Sequence, residues 1–332
     1  MLAILSLVGT LTGCTNATEE SECETPVTLT PVYPTYGQAA VYNRSPLRFT
    51  LSASDENASV SLDLDGSSVV GATSVEDLEL TFIPDAPLLP NSEYQVTLVS
   101  CGTTAEMPFT TSDLGSPLTQ AIAGQTFAVD PDSGRVLAPK GGEAIVSAAL
   151  GGVVLMGIVS EGTQLEIDAA LSNVGDTSQD TCNRTLQLPP ADFSESPYFE
   201  IPASDLVLAI GSNDVVINDL AITGTFRADG TGFEGGTLSA ELDLREIGPI
   251  LGELSENTPE ELCEILDGLN IACAPCQVDQ AAFCIDVLLD QVSADLTDQP
   301  VSPIVTADCH EDCALSCDNL DCEQASTYEV CE

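Results

Sequence analysis

Pro46-Leu-Arg-Phe-Thr-Leu-Ser52 decides the fold class of the first part of the chain. Leu47, Phe49 and Leu51 fall on one side of an extended segment, and Arg48 and Thr50 fall on the other. Side chains alternate faces along a strand, so this two-residue period predicts a half-buried β-strand. The period recurs at Val60, Leu62 and Leu64, at Leu78, Leu80 and Phe82, and at Tyr94, Val96 and Leu98. Gly, Pro, Asn and Asp interrupt the runs, where turns need them. About seven such strands within residues 26–113 predict a two-sheet β-sandwich.

The order of turns and strands also carries a resemblance. Pro34-Thr-Tyr-Gly-Gln38, Asn43 to Phe49, Thr81-Phe-Ile-Pro84, Leu88-Leu-Pro-Asn-Ser-Glu-Tyr94 and Phe109-Thr-Thr-Ser112 resemble bacterial Ig-like domains of the surface and S-layer type. The resemblance implies an Ig-like β-sandwich over 26–113 that serves as a spacer or display module. It places Tyr94 where a tyrosine corner would stand. The short hairpin Cys101-Gly-Thr-Thr104 departs from the pattern, and a bridge from Cys23 to Cys101 would pin the first strand to it.

Residues 114–306 read as a larger β-rich (α+β) domain. Thr126 to Val129 predicts a strand, and Asp130-Pro-Asp-Ser-Gly134 a turn. The apolar run Ala144 to Val159 is shorter than the roughly twenty residues that span a bilayer. Gly151-Gly152 splits it into a helix near 143–150 and a buried strand from Val153. Strands follow near Gln164–Leu171, Thr185–Gln187, Asp205–Ile210, Asp214–Arg227 and Gly236–Leu244. Val215, Ile217, Leu220, Ile222 and Phe226 slip once in their alternation, which predicts a β-bulge. A helical period covers 245–268, with Thr258 as N-cap, Pro259 at the first helical position and Glu261 completing a capping box. Cys284 to Val292 fits a helix or a strand equally. Gly224 to Gly230, Gly235-Gly-Thr-Leu-Ser239 and Cys273-Ala-Pro-Cys276 resemble uncharacterised bacterial lipoproteins, a resemblance that brings no function with it.

The start of the chain speaks to location. An apolar run, Met1 to Leu11, ends in Leu11-Thr12-Gly13-Cys14, which resembles a lipobox. The expectation is a lipoprotein signal peptide over 1–13, a lipid on Cys14 and a polar tether over 14–25. Signal peptides open with basic residues, whereas no Lys or Arg precedes Arg44; a start codon set too far downstream accounts for this. Thr15 is not the Asp that retains enteric-type lipoproteins at the inner membrane, so the expected location is the cell envelope at the outer membrane. The membrane, through the lipid on Cys14, is an expected partner, and a protein or envelope partner stays unidentified.

Cysteine usage agrees. The chain carries 13 cysteines in 332 residues, a density suited to an oxidising compartment. Setting Cys14 aside leaves an even set of disulfide candidates: Cys23, Cys101, Cys182, Cys263, Cys273, Cys276, Cys284, Cys309, Cys313, Cys317, Cys322 and Cys331. Residues 307–332 form a Cys-rich, acidic, disulfide-rich tail. If Cys23 pairs with Cys101, odd numbers remain in body and tail, and full pairing needs a bridge between them.

Charge excludes some partners. Asp and Glu number 53 against 7 Lys and Arg, a formal net charge of −46. Such a surface repels phosphate backbones, so no nucleic acid is expected. Apolar residues make up 43% of the chain, enough for folded cores.

No motif carries catalysis. His310 is the only His and Lys140 the only Lys, which leaves no Ser-His or Cys-His machinery. Trp is absent and aromatics are 5%, which disfavours a sugar-stacking cleft despite the many carboxylates. Cys273-Ala-Pro-Cys276 has the spacing of a redox pair but follows a helix rather than a strand, so a structural disulfide pair is expected. Cys309, Cys313 and Cys317 with His310 match no zinc spacing. Asp63-Leu-Asp-Gly66 and Asp130-Pro-Asp132 lack a full calcium loop and read as turns. No metal and no cofactor are expected. The expected function is therefore a non-enzymatic, lipid-anchored protein for surface display, adhesion or envelope structure. The alternative is a carrier of an apolar ligand, with 114–306 forming a half-barrel. A large apolar cavity beside the 247–266 helices favours the carrier; a filled core favours the structural reading.

Overall fold

The computed structural model describes residues 27–304 apart from 102, 151, 174, 182, 211–212 and 249–256. They form two compact units. The first holds the chain up to Ala39 with Arg44–Pro87 and Glu93–Thr110; the second holds Ala40–Asn43, Leu88–Ser92 and the chain from Thr111.

The first unit contains β1 (Leu29–Tyr33), β2 (Leu47–Leu51), β3 (Ser59–Leu64), β4 (Ser67–Val69), β5 (Gly71–Glu76), β6 (Glu79–Pro84), β7 (Glu93–Ser100) and β8 (Thr103–Thr110). They build two four-stranded sheets, β1-β2-β6-β5 and β4-β3-β7-β8, the Ig-like sandwich. Leu47, Phe49 and Leu51 of β2 are buried, as are Val60 and Leu62 of β3 and Tyr94, Val96 and Leu98 of β7. Each such side chain removed from water contributes about 1.5–3 kcal/mol. Tyr94 stands directly opposite Phe109 in the β7–β8 pair, with the rings stacked 5.5 Å apart. Leu78 breaks the predicted pattern. It lies in the turn before β6 beside Asp77 (φ +53°) and is exposed. Asp65 and Gly66, both at positive φ, make the two-residue turn between β3 and β4 that suits right-twisted strands.

One buried carboxylate locks this unit. Asp55 accepts hydrogen bonds from Ser100 Oγ at 2.7 Å, Cys101 N at 2.9 Å and Asn57 N at 3.0 Å. The Ser100 hydroxyl, helped by the two N–H groups, holds the carboxyl below the usual carboxylate range against the opposing effect of burial. A depressed folded-state value means that the stabilisation is present in full above the unfolded carboxylate pKa and is lost as pH falls through the depressed value. Asp55→Asn is expected to cost about 1–3 kcal/mol at neutral pH and to flatten the acid limb of stability against pH. Urea titrations of both proteins from pH 7 to pH 3 check this, and an unchanged acid limb counts against it.

The second unit contains β9 (Thr126–Asp130), β10 (Arg135–Ala138), β11 (Val154–Glu161), β12 (Gln164–Leu171), β13 (Leu186–Gln187), β14 (Ala191–Asp192), β15 (Tyr198–Ile210), β16 (Asn213–Phe226), β17 (Gly232–Asp243) and β18 (Cys284–Thr297). Helices α1 (Glu143–Leu150), α2 (Leu244–Ile247) and α3 (Pro259–Asp267) complete it. The strand order runs β18-β17-β16-β15-β14-β12-β11-β9, and β9 pairs back onto β18. The sheet is therefore a closed antiparallel barrel rather than the half-barrel of the sequence reading. The ring closes through the β9–β18 pairing, while its β14–β15 contact is the single pair Asp192 with Glu200. β10 continues along β18 beyond β9, past the 3-10 turn Pro131–Ser133.

Local sequence explains the barrel's details. The slip in β16 is a register shift between Asn218 and Ala221, where Asp219 takes φ +48°. Cys284 to Val292 is resolved as strand, because its backbone pairs with β17 on one side and β10 on the other. α3 begins with the predicted capping box: Thr258 accepts from Glu261 N, and the Glu261 side chain accepts from Thr258 N. Ile145 and Val146 of α1, Ile247 of α2, and Leu262 and Leu266 of α3 join the barrel's hydrophobic core.

Candidate functional site

The interior of the barrel is the first place to look for a ligand. Phe127 of β9, Phe199 of β15, Phe226 of β16 and Phe233 of β17 are fully buried, and Phe193 joins them from the turn after β14. Phe226 lies 5.1 Å from Phe127 and 5.0 Å from Phe199, ring centre to ring centre, and 6.0 Å from Phe193 and Phe233. β9 and β16 are not neighbours in the sheet, so the Phe127–Phe226 contact crosses the lumen. Gly224 sits beside this group because a Cβ there would come within 2.7 Å of Phe199 and 2.8 Å of Phe233. Side chains fill this part of the lumen at ordinary packing distances. A wide-mouthed, mainly polar recess of about 480 Å³ lies outside, between the segment Pro117–Ala121 and the side chains of Glu161 and Ser196. Glu161 is already engaged there by Ile122 N.

The cysteines come next. Cys263 bonds Cys273 and Cys276 bonds Cys284. Cys273-Ala-Pro-Cys276 is thus not a pair with itself: its cysteines are tied to α3 on one side and to the start of β18 on the other. The reason is topological. Ala274 pairs with Cys284 across an isolated bridge, which sets Cys276 against β18. Cys101 is also disulfide-bonded. Cys14, Cys23, Cys182, Cys309, Cys313, Cys317, Cys322 and Cys331, with His310, lie outside the described residues.

The Cys276–Cys284 bridge closes a loop over a polar cluster that sequence reading missed. On β17, Leu242 and Ala240 belong to the core, so Glu241 and Asp243 project from the opposite face; the loop 272–283 buries them there. Glu241 accepts from Gln277 N at 3.1 and 3.2 Å. Asp243 caps α2 through Arg245 N and receives the Arg245 guanidinium at 2.5 and 2.9 Å. Arg245 reaches on to Asp279 at 2.7 Å and covers the Phe283 ring at 5.4 Å. Its charged form is stabilised first by Asp243 and then by Asp279, and Arg245 in turn depresses the Asp279 carboxyl. The only sequence signal was the scarcity of cations, with Arg245 beside an acid at Asp243. Asp243, Cys276 and Cys284 bring ligand atoms within 4.8 Å of one another. The two sulfurs are bonded to each other, so neither offers the thiolate that a metal takes. The cluster is a polar clamp under a covalently closed loop.

This clamp gives a prediction. The double substitution Cys276→Ala with Cys284→Ala is expected to lower stability by about 2–3 kcal/mol through the released loop entropy. Asp243 and Glu241 should gain solvent at the same time. Urea midpoints, together with faster backbone hydrogen exchange confined to residues 276–284, check it. A midpoint unchanged from the parent protein counts against it.

The two acidic motifs are turns. Asp130 caps the 3-10 turn by accepting from Asp132 N, and Asp63 and Asp65 belong to the β3–β4 hairpin. The described residues contain no helix long and apolar enough to cross a membrane.

No protein-family model matches the chain, and no curated protein matches it. Among solved structures, a twitchin kinase fragment from C. elegans with kinase and immunoglobulin domains aligns at 13% identity and TM-score 0.20, over 26% of this chain and 20% of the fragment. The chain thus spans about a fifth of that fragment. An L,D-transpeptidase from Mycobacterium smegmatis aligns at 12% identity and TM-score 0.23, over 59% of this chain and 76% of the enzyme. L,D-transpeptidase 1 of Mycobacterium tuberculosis aligns at 13% identity and TM-score 0.22, over 45% of this chain and 85% of the enzyme. Likenesses of this size assign neither an activity nor a shared overall structure.

Proposed function

We propose that this chain is a non-enzymatic, lipid-anchored protein of the cell envelope, cleaved before Cys14, acylated there and held at the outer membrane. Its role is surface display, adhesion or envelope structure. The observation that carries the reading is the phenylalanine-filled barrel lumen. A carrier of an apolar ligand needs an apolar cavity of several hundred Å³, whereas here Phe127 and Phe226 meet across the lumen. The two disulfides and the bonded Cys101 suit an oxidising compartment. The acidic surface suits a protein that stays soluble on a tether and does not adhere to anionic lipid.

Intact-mass spectrometry of the full chain, purified from the membrane fraction under native and then denaturing conditions, tests this. The expected species begins at Cys14, carries acyl chains there and releases no stoichiometric small molecule. A soluble protein with an unmodified N-terminus overturns the anchoring. An apolar compound released on denaturation overturns the filled-lumen argument.

A further inference from the structure

We infer that β5 is a self-association edge: two copies of the chain pair β5 against β5, antiparallel about a two-fold axis at Thr73. An edge strand offers its outward backbone groups to any other strand, and folded chains blunt such edges with Pro, bulges, shortness or a covering segment. Three of the four edges of the sandwich are blunted in these ways. β1 contains Pro31, and its register slips between Pro31 and Tyr33. β4 is three residues long. β8 is covered, because Gly37 N donates to Pro108 O and Thr110 N donates to Gln38 O. β5 has none of these devices. It runs for six residues without Pro or register shift, and among the described residues it pairs with β6 alone. From Ser67 to Val75 the chain carries no charged residue.

The hydrogen-bond phase shows which groups of β5 face outward. In an antiparallel pair, residues that exchange bonds with the neighbour alternate with residues that point theirs away. Asp85 N donates to Val70 O, one step beyond the Gly71–Pro84 pair. Val70, Ala72, Ser74 and Glu76 therefore turn their backbone groups to the β6 side, and Gly71, Thr73 and Val75 turn theirs outward. Two further facts give the same phase. Pro84, opposite Gly71, has no N–H to donate. On the other side of β6, Leu51 N donates to Leu78 O, so Leu80 and Phe82 bond β2 while Glu79, Thr81 and Ile83 bond β5.

This phase selects a second copy as the occupant. The outward residues Gly71, Thr73 and Val75 are centred on Thr73. A second β5, antiparallel about that point, sets Thr73 opposite Thr73 and Gly71 opposite Val75 at both ends. Every outward N–H and C=O then has a partner. The same register sets Glu76, the only charge on β5, opposite Val70 of the second copy. A parallel, in-register pairing would set Glu76 on Glu76, and like charges directly opposite destabilise a pair. Val70 is 71% exposed, and Ala72 and Ser74, which meet across the outer face, are small and exposed. The contact is the same patch on both copies, so it closes at a dimer.

Magnitudes make the dimer weak. A six-residue strand pair buries far less than the roughly 1,600 Å² of a standard interface. The net charge of −46 on each copy opposes association. Screening acts over about 8 Å at physiological ionic strength, so added salt should tighten the dimer.

Sedimentation equilibrium of the full chain over a range of concentrations, in density-matched detergent, tests this together with amide exchange resolved by residue. The expected result is a monomer–dimer equilibrium. Exchange at Gly71, Thr73 and Val75 should slow as concentration rises, while exchange at Ala72, Ser74 and Glu76 stays constant. Thr73→Pro removes one outward N–H and spares the bonds to β6, so it should abolish the dimer and leave the urea midpoint of the sandwich near that of the parent. Val70→Lys sets Lys opposite Glu76 at both ends and should tighten the dimer by about 2- to 30-fold, a gain that a damaged fold cannot produce. If Thr73→Pro unfolds the sandwich, Val70→Lys decides alone. A chain that stays monomeric overturns the inference, as does a dimer that a folded Thr73→Pro variant keeps or that Val70→Lys loosens. Protection of Gly71, Thr73 and Val75 that does not vary with concentration also overturns it, because the edge is then covered from within one molecule. The pairing makes no use of Cys14, so its failure and the failure of the lipid anchor are separate results.

Discussion

Phe226→Ala is expected to lower the stability of the barrel unit by about 3–5 kcal/mol, the usual range for truncating a fully buried phenylalanine. Phe226 is fully buried and touches four other phenylalanines from three strands and a turn. Its ring joins the two walls of the lumen, so truncation leaves a cavity that β9 and β16 cannot close without bending the ring of strands. Each lost aromatic contact adds to the area term. Phe226→Leu keeps most of the volume and should cost clearly less. The chain has no Trp, so urea unfolding followed by far-UV circular dichroism is the suitable measurement. A loss below about 1 kcal/mol would mean that the lumen collapses freely. The packing argument against a carrier would then fail with it.

How much of this was legible in the sequence depends on the range over which each feature is determined. The sandwich was legible because Leu47, Phe49 and Leu51 alternate within one strand, and burial follows the alternation directly. The capping box at Thr258 was legible because four consecutive residues specify it. The bulge in β16 showed as a one-residue slip in a hydrophobic period. Barrel closure was not legible. It depends on β9 pairing with β18, strands far apart in the chain, and no local pattern encodes that register. The same reason hid the cysteine partners. Cys273 and Cys276 sit three apart and suggest each other, but pairing follows the fold, which sets Cys276 beside β18 and Cys273 beside α3. Cys284 to Val292 was ambiguous because the apolar but exposed Leu288 stands between the buried Val287 and Leu289 and blurs the two-residue period. The Arg245 clamp was hidden for a further reason. Glu241 and Asp243 read as solvated acids until a disulfide-closed loop covers them.

Tyr94→Ala should have an effect of similar size in the first unit, about 3–5 kcal/mol. Tyr94 is 2% exposed and stands at the start of β7 in the middle of the β4-β3-β7-β8 sheet. Its ring lies flat on Phe109, 5.5 Å away, and the two residues are direct cross-strand partners. Cross-strand aromatic pairs fix register as well as stability, because a slip of one residue would turn Phe109 to the other face. Removing the ring therefore loosens the β7–β8 pairing along its length, including the Ser100 end where Asp55 is held. Tyr94→Phe separates ring from hydroxyl. If packing dominates, it should retain most of the stability; if the tyrosine-corner role implied by the Ig-like resemblance dominates, it should lose nearly as much as Tyr94→Ala. Urea midpoints of the two variants, with hydrogen exchange at Val96 and Leu98 as the local readout, decide between them. An Ala variant as stable as the parent protein would show that Phe109 and the β3 residues refill the space, and that this ring does not hold the sandwich together.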